Sequence, residues 1–413
     1  MTTAGWRTAS LKEVCEPPQY GYTASAEDKG NVRFLRITDI TESGVKWPSV
    51  PFCECPPDLL PKYQLASGDI VFARIGATTG KSYLITNPPL SVFASYLIRV
   101  RCKSEIDPAF LSMFFRSESY WQQVDAQKDT NLKKGVNGSV LRTLQIAVPP
   151  LPEQRKIAGV LGVVQRAIEQ QERLLALTAE LKKALLHQLF TAGLRGEPQK
   201  ETAIGLVPDS WEVVQLGDLA LIERGKFAHR PRNESRFYGG STPFVQTGDV
   251  SNCDGRISSY SQTLNDDGVQ ISKVFAAGTI LITIAANIGF TGILDFDSAC
   301  PDSLIGLTPR AGVSAEFLQY YLSTQQPEMD RLAPRGTQKN INIQFLRPWP
   351  VPVPSEDEQS EIVSCLRVVD SKLRVGARRH AALTALFRTL LHQLMTAELR
   401  LHDLDLPELE ATL

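Results

Sequence analysis

The residues with the most chemical potential in this chain are cations and amides gathered in polar, glycine-containing stretches. RGKFAHRPRNESR (224–236) holds Arg224, Lys226, Arg230, Arg232 and Arg236 against one glutamate. KDTNLKKG (128–135) clusters Lys128, Lys133 and Lys134, and APRGTQKNINIQ (333–344) occupies the equivalent place later in the chain. Cations among Asn, Gln, Thr and Gly in loops suit the reading of base edges beside phosphates. Guanidinium forks match guanine, amide forks match adenine, and lysines hold phosphate oxygens. Taken singly, each stretch also reads as a solvated loop.

Other constellations promise catalysis and do not deliver it. GATTGKS (76–82) has three residues between its first glycine and the Gly-Lys pair, whereas a phosphate-wrapping loop needs four. It reads instead as a tight turn presenting Lys81 with the Thr78 and Thr79 hydroxyls to an anion. NPPL (87–90) lacks the aromatic that would sandwich a target base in an amino-group methyltransferase, and no glycine-rich strand–turn–helix precedes it. Cys53 and Cys55 form a C-x-C with neither a second pair nor a histidine nearby, so no metal site is expected. His187 and His392 lack ligand-spaced neighbours and read as packing or capping residues near a helix end. No catalytic residue, cofactor or metal is assigned.

The elements that position these stretches come in two copies. LLHQLF (185–190) recurs as LLHQLM (390–395), displaced by 205 residues. Glu153–Gln154 recurs as Glu358–Gln359, Ile157 as Ile362, Leu161 as Leu366, Val164 as Val369 and Trp6 as Trp211, at the same displacement. FLRITDI (34–40) matches FVQTGDV (244–250), and SGDIVFARIGATTG (67–80) matches AGTILITIAANIG (277–289), with small drifts from loop insertions. A constant offset at many separated points marks a tandem duplication.

Each copy changes character at a proline-rich boundary, AVPPLPEQ (147–154) and WPVPVPSEDEQ (349–359). Before it, short apolar runs such as DIVFARI and TILITI alternate with turns, and FLSMFF and FLQYYL read as short helices, an α+β globule. After it, apolar residues recur every three or four positions: Ile157, Val160, Leu161, Val164, Ile168, Leu174, Leu181, Leu185, Leu189. The second copy runs Ile362, Leu366, Val369, Leu373, Leu383, Leu386, Leu390, Leu394. Each stripe predicts an amphipathic helix of roughly 38 residues, on the order of 55 Å long. A helix that long needs an equally long partner, and the other copy supplies one. The divisions expected are globules at 1–150 and 197–352, helices at 151–196 and 353–400, and a tail at 401–413.

Composition bounds the rest. The chain has 413 residues, 44 basic against 45 acidic, and a net charge of −1. A polycation that wraps nucleic acid wholesale is excluded, although local basic surfaces are not. Seven cysteines without a regular framework point to a reducing compartment, and the first residues show no secretory pattern, so a cytoplasmic location is expected. The uncharged stretch Val274 to Leu294 is long enough to span a bilayer, but its glycines and β-branched residues suit buried strands better.

Two globules of similar plan, each followed by a similar long helix, resemble the specificity (S) subunit of type I restriction–modification systems. The resemblance covers nearly the whole chain. It is carried by VPPLPEQRKIAGVL and its degraded copy VPVPSEDEQSEIVSCL, by the tryptophan opening each globule, and by GDIVFARIGATTGK. The resemblance implies two target recognition domains, each reading one half of a split sequence in double-stranded DNA. It also implies helices paired as an antiparallel coiled coil that fixes the spacing and docks two methyltransferase (modification) subunits, with restriction subunits in the full complex. It implies neither an enzyme nor a membrane protein. Candidate DNA contacts are Arg36, Arg74, Thr78, Lys81, Lys133 and Lys134 in the first globule. In the second they are Arg230, Arg232, Gln246, Asn287, Arg335, Gln338 and Lys339. The competing readings are the specificity subunit of a type IIB-like system and a noncatalytic coiled-coil assembly scaffold whose globules bind protein.

Overall fold

The computed structural model describes residues 5–41, 44–76, 78–131, 136–229, 233–285, 287–334 and 339–400, with the backbone alone at 127–131. It divides into two compact units, Met1–Leu174 with Gly376–Leu413, and Leu175–Val375. Each unit thus takes one globule, the first part of that globule's helix and the last part of the other helix.

In the first unit the strand Arg7–Ser10 pairs antiparallel with Gln145–Val148, closing the globule with its own first and last strands. Between them lies a four-stranded sheet in the order Gln19–Tyr20, Leu97–Val100, Ile70–Ala73, Ser82–Leu84. A second sheet holds Phe52–Cys53, Val32–Leu35 and Ser91–Phe93, the last two running parallel. The helix Pro108–Phe114 begins on Asp107, whose carboxylate accepts the N–H groups of Ala109 and Phe110. FLSMFF is therefore helical, and its phenylalanines enter the core beside Phe72 and Tyr120.

The second unit repeats the plan residue for residue where the repeat is strict. Glu212–Gln215 pairs with Pro350–Val353, each register position displaced by 205 from the first unit. A five-stranded sheet runs Ala220–Arg224, Leu304–Pro309, Ile280–Thr283, Thr291–Leu294, Arg256–Ile257. Its companion runs Gln262–Leu264, Tyr238–Phe244, Ser298–Cys300, Lys273–Phe275, with Tyr238–Phe244 parallel to Ser298–Cys300. The uncharged stretch from Val274 falls into three of these strands. Among the described residues, no helix is long and apolar enough to cross a membrane.

The two long helices span Leu151–Ala192 and Glu356–Met395, slightly longer than the apolar stripes alone indicate. Glu153 in one first turn, and Glu356, Asp357 and Glu358 in the other, lie at the positive end of each helix. The repeated Glu-Gln pairs stand there for a structural reason. The Trp6 indole N–H donates to Glu153 Oε2 at 3.1 Å, and Trp211 to Glu358 Oε2 at 3.2 Å. Gln154 Oε1 accepts the Asp107 N–H at 2.7 Å while its amide N–H donates to the carbonyls of Pro149 and Glu105. Gln359 does the same with the Ser314 N–H and the carbonyls of Pro354 and Gly312. Each pair fastens a helix start to its globule at the closing strands and at the core helix.

The other helix's end is fastened to the same node. In the first unit Arg400 reaches Glu153 at 3.3 Å and lies over the Trp6 ring. In the second, Gly193 ends the first helix at φ +63°, which puts the Leu194 N–H on Glu358 Oε1 at 2.9 Å. A Cβ at Gly193 would stand 3.0 Å from that oxygen and 3.1 Å from Pro208, so any side chain there would strain the turn and press on the clamp.

Within each unit the helix segments pair antiparallel. In the first, Glu153 meets Arg400 and, nineteen residues on, Glu172 meets His380, twenty residues back. Ile157, Leu161 and Ile168 share the core there with Phe387, Leu391 and Leu394. In the second, Lys182 Nζ meets Asp370 at 2.6 Å, and Leu189 and Phe190 share the core with Ile362 and Leu366. Asp370 also accepts the Tyr320 hydroxyl at 2.6 Å; burial and that carboxylate push the Tyr320 pKa up.

Three expectations need correction. Leu174, Leu181 and Leu386 belong to the stripes yet are exposed, because a stripe of this width exceeds what one antiparallel neighbour covers. Lys128 lies within the helix Glu118–Asn131 and not in a loop. His187 and His392 are exposed, which removes packing and leaves the helix-end reading: His392 is the basic residue of its helix's last turn and faces Glu398 at 3.4 Å.

Gln154→Ala and Gln359→Ala should each destabilise the chain by about 1–3 kcal/mol, since each strands buried backbone groups. Arg7→Ala, which removes an exposed pair with Glu105, should change stability by less than about 1 kcal/mol. Urea unfolding of the three variants checks the contrast; equal losses would contradict the node.

Candidate nucleic-acid interface

The frame that presents the polar residues follows from the parallel strand pair in each globule. Val32–Leu35 runs directly into Arg36, and Tyr238–Phe244 runs through Val245 into Gln246. A one-turn helix follows in both, and its third residue, Asp39 or Asp249, accepts the N–H of Arg36 at 2.9 Å or of Gln246 at 2.8 Å. The turn is thus the same in both copies while the presented side chain differs. Arg36 Nε and Nη2 are gripped by Asp39 at 3.1 and 2.9 Å, which raises the guanidinium pKa and fixes its direction. Gln246 donates its amide N–H to Gln262 Oε1.

The second presenting element is the hairpin from Ile70–Ala73 to Ser82–Leu84 and its copy. Gly80 at φ +86° donates its N–H to Ala73, and Gly289 at φ +82° donates to Thr283, each at 2.9 Å. The glycines close the turn because each backbone is pressed against a helix, by Trp121 in one copy and by Gln326 and Met329 in the other. GATTGKS is therefore the turn of an antiparallel hairpin, not a strand–helix phosphate loop. Arg74 is exposed with its guanidinium 5.0 Å from the Tyr20 ring centre, and its N–H donates to the Tyr96 carbonyl at 3.0 Å. Lys81 is exposed and Thr78 half-buried on the same turn. Asn287, exposed, stands on the copied turn, where its carbonyl accepts the Thr283 hydroxyl.

Backbone bonds bring these elements to one edge. In the first unit Leu35 accepts the Ala94 N–H, and Tyr96, two residues later, accepts that of Arg74. Residues 94–96 therefore tie the turn carrying Arg36 to the hairpin carrying Arg74, Thr78 and Lys81. In the second unit Ala299 accepts the Val245 N–H and Ser303 that of Ile284. Ala285 then pairs with Asn340, which sets Lys339 beside the turn of Asn287. Lys339 is ion-paired to Asp330 at 2.9 Å. Lys133, Lys134, Arg230, Arg232, Arg335 and Gln338 lie outside the described residues.

Sequence reasoning passed over Gln262, Tyr20 and Tyr96. Gln262 reaches Gln246 because strand register sets Phe244 opposite Gln262, a fact of pairing that no local pattern carries. Tyr20 sits on the edge strand, separated from the hairpin by Leu97–Val100, and has no basic neighbour in sequence to flag it.

The two decoys resolve as structure. Asn87 occupies a left-handed turn at φ +44°, with its N–H on the Ser67 hydroxyl at 2.7 Å. Cys53 and Cys55 are buried among Val32, Phe34 and Val92. Among the described residues, no group of three or more His, Cys, Asp or Glu could hold a metal ion.

Both copies thus carry one frame with unlike side chains at matching positions, the organisation of a duplicated recognition protein. The family model for the type I restriction modification DNA specificity domain matches residues 3–179 and again 208–385. The chain belongs to that family, and as a specificity subunit it recognises DNA and is noncatalytic. It is 25% identical over 408 residues to a putative type I restriction enzyme MjaX specificity subunit of Methanocaldococcus jannaschii, covering 96% of this chain and 94% of that one. Over 178 residues it is 24% identical to the type I restriction enzyme EcoKI specificity subunit of Escherichia coli K12, 40% of this chain and 38% of that one. In fold it resembles the S subunit of a type I restriction-modification system from M. genitalium, with a TM-score of 0.63 at 17% identity, over 94% of this chain and 96% of that one.

Burial pushes the Cys53 thiol up to about 11, with nearby Cys55 adding to the shift. The neutral thiol is thus favoured in the fold, and its stabilising contribution, intact below the ordinary thiol pKa of about 8.5, is lost as pH rises toward 11. At pH 8 iodoacetamide should modify exposed Cys365 first and spare Cys53 and Cys55 until the chain unfolds. Peptide mass mapping over time checks the order; equal rates would contradict the burial.

Proposed function

We propose that each globule reads one half of a bipartite sequence in double-stranded DNA, that the paired helices set the gap, and that they dock two methyltransferase subunits. Restriction subunits complete the assembly, and the complex works in the cytoplasm. The observation that carries this reading is the repeated frame with exchanged chemistry: Arg36 against Gln246, and Lys81 against Phe290 after the matching glycine. Two unlike reading heads suit an asymmetric target. A rigid connection makes two weak contacts act as one site through a high effective concentration. A near-neutral chain fits if partner subunits supply much of the phosphate neutralisation.

The apolar residues left over from the helix pairing support docking of two like partners. Val163 and Val368 are repeat equivalents, 37% and 55% exposed, and so are Leu181 and Leu386, 53% and 46% exposed. By the antiparallel register, Val163 and Leu386 fall within a turn of facing each other in the first unit, and Leu181 and Val368 do so in the second. Each unit therefore offers one copy of the same small apolar patch, one for each of two identical subunits.

Purified alone the chain should transfer no methyl groups; with its methyltransferase it should direct methylation to one split sequence. DNA affinity of the complex should fall steeply with salt, by about 0.9 log unit per log unit of salt for each phosphate contacted. A shallow slope would favour the protein-binding scaffold instead. Leu181→Asp with Val368→Asp should remove about one methyltransferase subunit per complex, and adding Val163→Asp with Leu386→Asp the other, while unfolding midpoints hold. Stoichiometry by native mass spectrometry checks this; two subunits retained in the fourfold variant would contradict the docking site.

A further inference from the structure

In the second globule an open cavity of about 570 Å³ is lined by Asn233, Ser235, Tyr238, Gly239, Gln246 and Gln262. A neighbouring hollow shares Tyr238, Gly239 and Gln262 and adds Tyr260. Among the described residues the walls are amides, hydroxyls and two tyrosine rings, with no charged side chain. Such a surface offers hydrogen bonds without net charge, which suits base edges better than phosphates.

Gln246 is held there from both sides. Asp249 takes its backbone N–H, and Gln262 takes one amide hydrogen of its side chain. Those two bonds leave its amide oxygen and second N–H, the acceptor and donor that meet N6 and N7 of adenine. The matching slot of the first globule is built differently. The residue opposite Phe34, by the register that sets Phe52 against Arg33, is Pro51, which has no side-chain donor or acceptor. Arg36 is instead steadied by Asp39, which takes Nε and Nη2 and leaves the Nη1–Nη2 end of the guanidinium for the O6 and N7 of guanine.

We infer that this slot is the principal base-reading position of each globule, with Gln246 buttressed by Gln262 selecting adenine in one half-site and Arg36 buttressed by Asp39 selecting guanine in the other. The assignment rests on the DNA-reading function proposed above and names the chemistry each head uses. Gln262 is a positioning residue: it sets the rotamer of Gln246, as Asp39 sets that of Arg36. Tyr238 lines the wall of the adenine slot, and Tyr260 lines the hollow beside it.

The test is selection of bound DNA from a random library by the chain reconstituted with its methyltransferase, with Arg36→Gln, Arg36→Lys, Gln246→Ala and Gln262→Leu beside the wild type. Gln246→Ala should relax one adenine position of a single half-site by about ten- to a hundredfold, and Gln262→Leu should relax that same position less. Arg36→Lys should relax one guanine position of the other half-site by a similar factor, and Arg36→Gln should move that preference toward adenine. Unchanged thermal unfolding separates these effects from misfolding, and Arg36→Lys serves should Arg36→Gln fold poorly. A wild type that selects a split sequence, with both half-sites unmoved by every variant or with affinity lost equally for all sequences, overturns this assignment alone. A wild type that selects no split sequence overturns the proposed function with it.

Discussion

The structure depends on a carboxylate and an amide at the start of each long helix. Glu153 and Glu358 each join three parts of a unit: the tryptophan just before the globule's first closing strand, the helix that follows the last strand, and the returning end of the other helix. Gln154 and Gln359 add buried bonds to the backbone on either side. A buried amide with its groups satisfied is directional, and stranding those groups costs more than the bonds contribute singly. These nodes therefore fix the angle at which a globule meets its helix. Each unit is completed by a segment of the other copy's helix, and for the first unit that segment comes from the far end of the chain.

That division of labour lets one frame carry two different sets of presented side chains. Many positions that repeat at a strict offset, such as Trp6 and Trp211 or Ile157 and Ile362, are core or node positions. The positions that differ are side chains at the ends of strands and on hairpin turns, where Arg36 faces solvent in one copy and Gln246 in the other. Fixing the backbone through Asp39 and Asp249 lets the presented group change without disturbing the turn. Recognition can diverge because stability is held elsewhere.

The duplication, the helices and the globule class were legible in the sequence, since each depends on local periodicity and on repeated words. The pairing of the helices was legible as well, because an apolar stripe of that length needs an equal partner, while its antiparallel sense was implied by the family resemblance alone. What could not be read was register. The neighbours of Gln246 and Arg74, namely Gln262 and Tyr20, are set by which strand residues face each other. The exposure of Leu174, Leu181 and Leu386 depended on how much of a wide stripe one neighbour covers. The Glu-Gln repeat was visible, while its role as a clamp appeared only with coordinates. The turn geometry of GATTGKS and NPPL likewise followed from strand pairing and a left-handed asparagine.

The claim that two dissimilar heads act through one duplicated frame is tested most directly by mapping every base methylated by the reconstituted wild-type complex on genomic DNA. The account predicts two unlike half-sites separated by a single fixed gap of unspecified bases. A contiguous site, a palindrome, or half-sites found at several different spacings would contradict it.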